Sequence, residues 1–191
     1  MIEIGLSALY GQEFGYIENW ALKNKMIINK AKTKELVFRR PHPTKFDMPD
    51  PLDGIVQERA AKLLGVIFTG KLCFDDHVDF VLTVCSQRVY LLKLLPSQGL
   101  PIQQLHMVFV ALILSRITYA LPAWGGQLLT RQLQERLDAF LKRARKFGFC
   151  DENYTTAELL DKADARLFRL VQRPEHCLHH LLPETILTTV L

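Results

Sequence analysis

The sequence predicts an α+β chain, mostly helical, with short strands early and a helical bundle after them. Three observations carry this reading. Apolar residues recur at helical spacing near the N-terminus and again, in several runs, from about Asp75 onward. Between these stretches the apolar runs are short, β-leaning and bounded by turn residues. A composition shift near Asp75 then divides the chain into 1–74, which holds the strands, and 75–191, which reads as helices alone.

The elements follow in order. Leu6, Leu9, Tyr10, Phe14, Ile17, Trp20 and Ala21 fall on one helical face, with Trp20 read as core, although Gly11 and Gly15 weaken the helix. Lys25 to Asn29 and Glu35 to Phe38 read as two strands around a polar turn. Pro41, Pro43, Pro49 and Pro51 punctuate a loop from Arg39 to about Gly54. Leu63 to Phe68 is a strand, and Thr69-Gly70 is the expected turn of a hairpin into Leu72 and Phe74. Asp75 or Asp76 then caps a helix striped by Val78, Val81, Leu82, Cys85, Val89, Leu92 and Leu95.

The run Pro96 to Pro101 breaks the chain, and Pro101 suits the first position of a helix burying Leu105, Val108, Phe109, Leu112, Ile113 and Ile117. A helix from about Thr130 carries Leu133, Leu137, Phe140, Leu141 and Ala144 on its apolar side. Thr155-Thr-Ala-Glu158 has the capping-box pattern and opens a last helix with Leu159, Ala163, Leu167 and Leu170.

Composition bounds the function. The 191 residues are 49% hydrophobic and 23% charged, enough for a sizeable core, so disorder is not the default. A formal charge of +4 is a mild bias toward a phosphate-bearing partner. Cys73, Cys85, Cys150 and Cys177 form no Cys-x-x-Cys pair, so neither a zinc ribbon nor a disulfide framework is encoded. Reduced thiols fit an intracellular protein, cytoplasmic or nuclear. The first residues lack the basic and unbroken apolar regions of a signal peptide. The greasiest stretch, Met107 to Leu114, is eight residues, against the ~20 needed to span a bilayer, so no membrane is expected.

Four blocks carry a family resemblance. The first runs from Trp20 to Phe38, with Asn24 four residues after the Trp, then Asn29-Lys-Ala-Lys32-Thr33 and a β run ending in Phe38. The second is Lys62-Leu-Leu64-Gly65-Val66-Ile-Phe68, with Leu72 and His77-Val78 after it. The third is Ser86-Gln87-Arg88 to Leu95, and the fourth Ser115-Arg116-Ile-Thr-Tyr119-Ala-Leu-Pro122-Ala-Trp124-Gly125. In this order and spacing they resemble the carboxyl-terminal part of a non-LTR retrotransposon reverse transcriptase of the jockey-like (LINE) kind, over roughly Trp20 to Pro183.

That resemblance implies a palm remnant with a primer-grip-like hairpin over 1–74 and a thumb-like helical domain over 75–191. It also implies an RNA or DNA template–primer as partner and a parent activity of RNA-directed DNA polymerisation using Mg²⁺. Such chemistry needs carboxylates that hold two metal ions. In the family these lie upstream of the Trp element, in a Phe-Ala-Asp-Asp turn. The residues before Trp20 contain Glu3, Glu13 and Glu18 but no aspartate, so a fragment without cofactor and without activity of its own is expected. Phe74-Asp75-Asp76 lacks the intervening residue and follows the wrong block, and its reading is a helix start.

Single residues have two readings each. Lys32 matches the family's supporting lysine, and in isolation reads as a solvated turn lysine. Leu64, Gly65 and Val66 match a hairpin that meets the primer terminus, and equally read as core strand. Arg131, Arg136, Lys142, Arg143, Arg145 and Lys146 lie on one helix, with Lys142, Arg145 and Lys146 on the side away from its apolar stripe. That suits phosphate contact, although charged helix faces are usually only solvated. His176-Cys177-Leu-His179-His180 reads as a helix end and not as a zinc site. Two alternatives to the polymerase fragment follow, a non-catalytic nucleic-acid-binding module and a helical protein-interaction domain.

Overall fold

The computed structural model describes residues 6–39 and 47–183. The chain is mostly helical with a few short strands, and it divides into two compact units, Met1–Cys73 and Phe74–Leu191. Pro41 and Pro43 of the expected loop lie outside the described residues.

Unit 1 opens with α1, Leu6–Lys23. The helix closes where Met26 N–H donates to the Ala21 carbonyl at 2.9 Å and Lys25 N–H to that of Leu22 at 3.0 Å, with Lys25 left-handed at φ 56°. The strand expected over Lys25 to Asn29 does not form, because its residues serve this helix end and the turn that follows. The Asn29 side chain accepts from Lys32 N–H at 3.2 Å and caps a single 3₁₀ turn, Lys30–Lys32. Strand β1, Lys34–Leu36, pairs in parallel with β2, Val56–Glu58, across the loop, with Lys34 opposite Val56.

Strands β3, Ala60–Leu63, and β4, Val66–Thr69, form an antiparallel hairpin with Leu63 opposite Val66. Its turn is Leu64-Gly65 and not Thr69-Gly70. Both residues have positive φ, 47° and 90°, which is the two-residue turn whose twist matches a hairpin. Thr69 and Gly70 do other work. The Thr69 hydroxyl bonds the Cys73 N–H at 3.0 Å and carbonyl at 2.9 Å. The Gly70 carbonyl accepts from Arg39 N–H at 2.8 Å, and a Cβ on Gly70 would lie 2.6 Å from the Val37 carbonyl oxygen. Only glycine allows the continuation of β1 to pass that close.

Among the described residues, unit 1 buries the hydrophobic side chains of Ala21, Ile55 and Val66. Trp20, read as core from its spacing, is 60% exposed. Of the stripe's residues whose burial is described, Ala21 is buried, Phe14 half-buried, and Ile17 exposed like Trp20.

Unit 2 is built on α2, Asp75–Leu94. The expected side-chain cap is absent: Phe74 occupies the cap position, and Asp75 and Asp76 are the first helical residues, where their charge meets the positive end of the helix. His77, Val78, Val81, Cys85 and Leu92 are its buried stripe. A 3₁₀ turn over Pro96–Gln98 ends at Gly99, left-handed at φ 90°.

Pro101 caps α3, Ile102–Phe109, and so precedes the first helical position. A five-residue π segment, Val110–Leu114, leads into α4, Ser115–Thr118. The wider turn shifts the helical phase, which explains why Leu112 is exposed and Leu114 buried, against a plain α stripe. Its carbonyls have side-chain donors: Arg88 on Leu112, the Ser115 hydroxyl on Ala111, and Thr118 Oγ1 on Leu114 at 3.0 Å.

The short α5, Leu121–Trp124, was not anticipated. It starts after Ala120, left-handed at φ 50°, and stops at Gly125, where a Cβ would sit 2.7 Å from the Leu121 carbonyl oxygen and 2.8 Å from Leu160 Cδ1. Helix α6 is Arg131–Lys146 and α7 is Thr156–Val171, each opened by its expected threonine. Thr130 accepts from Leu133 N–H at 3.4 Å and Thr155 from Glu158 N–H at 3.3 Å. Helix α6 packs against α2 and α7, and α5 against α7.

The run Gln104–Trp124 is long and apolar enough to cross a membrane by length and composition alone, and so extends well beyond the eight-residue stretch read from the sequence. Here it breaks at Tyr119 and Ala120, and Leu105, Phe109, Ile113, Ile117, Leu121 and Trp124 are spent on the core of unit 2.

The cysteines divide by burial. Cys73 and Cys177 are exposed, while Cys85 and Cys150 are buried. Burial pushes the Cys85 thiol up to about 11, against the smaller opposing pull of Arg88 and Arg116. A thiol reagent at mildly alkaline pH is therefore expected to titrate two cysteines quickly in the native chain, and four after denaturation. Folding holds the Cys85 proton, so its contribution to stability is complete below about pH 8.5 and falls as pH rises toward 11. Fast labelling of all four would contradict the burial.

Candidate nucleic-acid interface

The chemistry of the expected interface rests on α6. Thr130 fixes its start, and Leu133, Leu137, Phe140, Leu141 and Ala144 are buried, so the opposite side must face solvent. Its six cations fall into two groups. Arg131 pairs with Glu135 at 3.0 Å, and Arg136 pairs with Asp79 of α2. Lys142, Arg143, Arg145 and Lys146 are exposed and make no ion pair among the described residues.

Cations at a helix C-terminus favour the dipole, but Lys142 and Lys146 are one turn apart and repel. At 100° per residue Arg143 and Arg145 stand well apart around the helix. Arg145 lies on the flank of Cys150, whose thiol is raised first by burial and then, against the lowering by Arg145, by Asp151 and Glu152.

The end of α6 adds two residues that sequence reasoning missed. Phe147, the residue after the helix, is 56% exposed, and Lys93 of α2 holds its ammonium 4.6 Å from the ring centroid. The signal for Phe147 was present in Phe147-Gly148-Phe149, a helix stop with Gly at the left-handed position. Lys93 had none, because it reaches the site from another helix.

The other expected residues lie in unit 1. Lys32 is exposed at the end of the 3₁₀ turn, held by the Asn29 cap and by Thr33, whose hydroxyl donates to the Asn29 carbonyl at 3.0 Å. Asn24 donates to the Trp20 carbonyl at 2.8 Å. The first block of the sequence pattern is thus a set of local hydrogen bonds that close a helix and present a lysine. In the second block Leu64 is 83% exposed at the hairpin tip, Gly65 completes the turn, and Val66 is buried at 3%. The core-strand alternative therefore holds for Val66 alone.

Blocks distant in sequence meet in unit 2. His77 lies edge-on to Trp124 with centroids 4.9 Å apart, and Arg88 binds the π segment that precedes Ser115. Trp124 also donates from Nε1 to the Tyr119 carbonyl at 2.9 Å. These motif residues are structural.

Among the described residues no three His, Cys, Asp or Glu side chains gather as a metal site. Asp75 and Asp76 are consecutive in one helical turn and point about 100° apart, so they do not make the carboxylate pair of a two-metal polymerase centre. In the His176 to His180 segment, His176 Nδ1 accepts from Leu178 N–H at 3.2 Å and the His179 ring meets the Val171 carbonyl at 3.0 Å, contacts that fix a turn after α7. Compared with protein-family models, with curated proteins and with solved structures, the chain finds no match in any of the three.

Proposed function

We propose that this chain is a reverse-transcriptase-like protein of retrotransposon origin, corresponding to the end of the palm and the thumb, that holds a template–primer without polymerising by itself. The observation that carries the binding role is the divided charge of α6. Its first two arginines are paired with Glu135 and Asp79, whereas the four C-terminal cations make no ion pair among the described residues. The helix dipole favours cations in these last turns, and a phosphate backbone would relieve the repulsion among the four. The polymerase relationship rests on the four sequence blocks, and the hairpin tip at Leu64-Gly65 and the presented Lys32 are compatible with it. The sequence itself supplies no Phe-Ala-Asp-Asp turn.

The test measures binding and chemistry on the purified chain. Labelled DNA and RNA should bind, and a fourfold rise in salt should weaken that binding roughly 50-fold for single strand to 150-fold for duplex if all four cations meet phosphates. Lys142, Arg143, Arg145 and Lys146 replaced together by Gln should abolish most of the salt dependence. Primer extension with nucleotides and magnesium should give no product. Salt-independent binding, or robust extension, would overturn the proposal.

A further inference from the structure

Phosphate contact alone does not explain why a phenylalanine is exposed in the middle of this charge. Phe147 is fixed, not trailing: its N–H donates to the Arg143 carbonyl at 3.0 Å, Gly148 N–H to Arg145 at 2.8 Å, and Phe149 N–H to Ala144 at 3.2 Å. Gly148 is left-handed at φ 76°, the backbone that closes a helix in this way. Phe149 is buried, and its ring lies 5.9 Å from that of Phe147 at 38°, a support from the core side. Arg143 stands one turn before Phe147 on the same face, Lys146 is adjacent, and Lys93 covers the ring.

We propose that Phe147 is a stacking platform for one unpaired base, so that the basic end of α6 takes single-stranded nucleic acid in preference to duplex. This rests on the binding role given above and adds the form of the ligand. The energetics favour the exchange it requires. An exposed cation–π contact is worth about a factor of two to five, and a base stacked on an aromatic about five- to hundredfold. A base can therefore displace Lys93 from the ring, and the freed ammonium joins Arg143 and Lys146 on the flanking phosphates. Duplex offers denser phosphate but no free base face, so charge alone predicts the opposite preference.

Fluorescence anisotropy on the intact chain decides it, using a labelled pyrimidine-rich single strand and a long duplex of the same sequence. Phe147→Ala should weaken single-strand binding roughly five- to hundredfold, leave duplex binding and the salt slope unchanged, and be rescued by Phe147→Trp. Circular dichroism should show the helices intact in both variants. Single-strand affinity within twofold of wild type, or equal loss on both ligands, overturns the platform. If the four-cation variant loses binding while Phe147→Ala does not, the binding role stands and the platform falls. If the wild-type chain binds neither ligand, both fall together.

Discussion

Trp124→Ala is expected to destabilise unit 2 by about 3–5 kcal/mol, the range for removing a buried Trp from a packed core. Trp124 is fully buried, and it joins three things at once. Its indole fills the space between α2 and the short α5, its edge-on contact with His77 ties the start of α2 to that turn, and its Nε1 satisfies the Tyr119 carbonyl at the break before Ala120. Truncation loses the packing and the hydrogen bond to the Tyr119 carbonyl. Urea unfolding followed by helical circular dichroism would measure it. Trp124→Phe should fall between, since it keeps most of the volume and loses the hydrogen bond. A loss below about 1 kcal/mol for the alanine variant would mean that α5 can detach without cost to the unit.

The second large effect belongs to Asp138. Its Oδ1 accepts from both the N–H and the hydroxyl of Thr156, each at 2.7 Å, and Thr156 is buried. A carboxylate on α6 thus caps the first turn of α7, where free N–H groups and the helix dipole both favour negative charge. Asp138→Ala is expected to cost about 2–4 kcal/mol, because two charge-assisted hydrogen bonds are lost and a buried donor pair is left without an acceptor. Asp138→Asn should cost less, since its carbonyl still accepts. A double-mutant cycle with Thr156→Ala should show a coupling of at least about 1 kcal/mol. Zero coupling, or a loss matched by Lys142→Ala, would place the effect in the charge balance of α6 instead.

These two residues also mark the limit of what the sequence reveals. The caps at Thr130 and Thr155 and the buried face of α6 were legible, because each depends on residues within one or two turns. Asp138 was not, since its partner is on the next helix and nothing in its own neighbourhood distinguishes it from a solvated acid. The parallel pairing of β1 with β2 was hidden for the same reason: its partners are separated by the proline-containing loop. The hairpin turn was missed because Leu64 looks like strand, while its φ of 47° makes it a turn residue. For the candidate interface, helical spacing placed Lys142, Arg143, Arg145 and Lys146 on the surface. It could not show which cations acids would neutralise, or that Lys93 would arrive over Phe147.

The π segment is, in effect, one residue added to a regular helix. In an uninterrupted α repeat Leu105, Phe109, Ile113 and Ile117 would each step about 40° further around the helix, so the stripe would drift steadily toward its edge by Ile117. The wider turn takes up that drift: Ile117 is fully buried, and the Arg116 guanidinium lies over the Phe80 ring 5.3 Å from its centroid. Losing one residue between Val110 and Leu114 would therefore close the wide turn into ordinary α-helix and leave the facing of Ser115 to Thr118 unchanged, whereas gaining one would rotate them by about 100°. The stretch is thus asymmetric in length: a one-residue deletion is absorbed as regular helix, and an insertion is not.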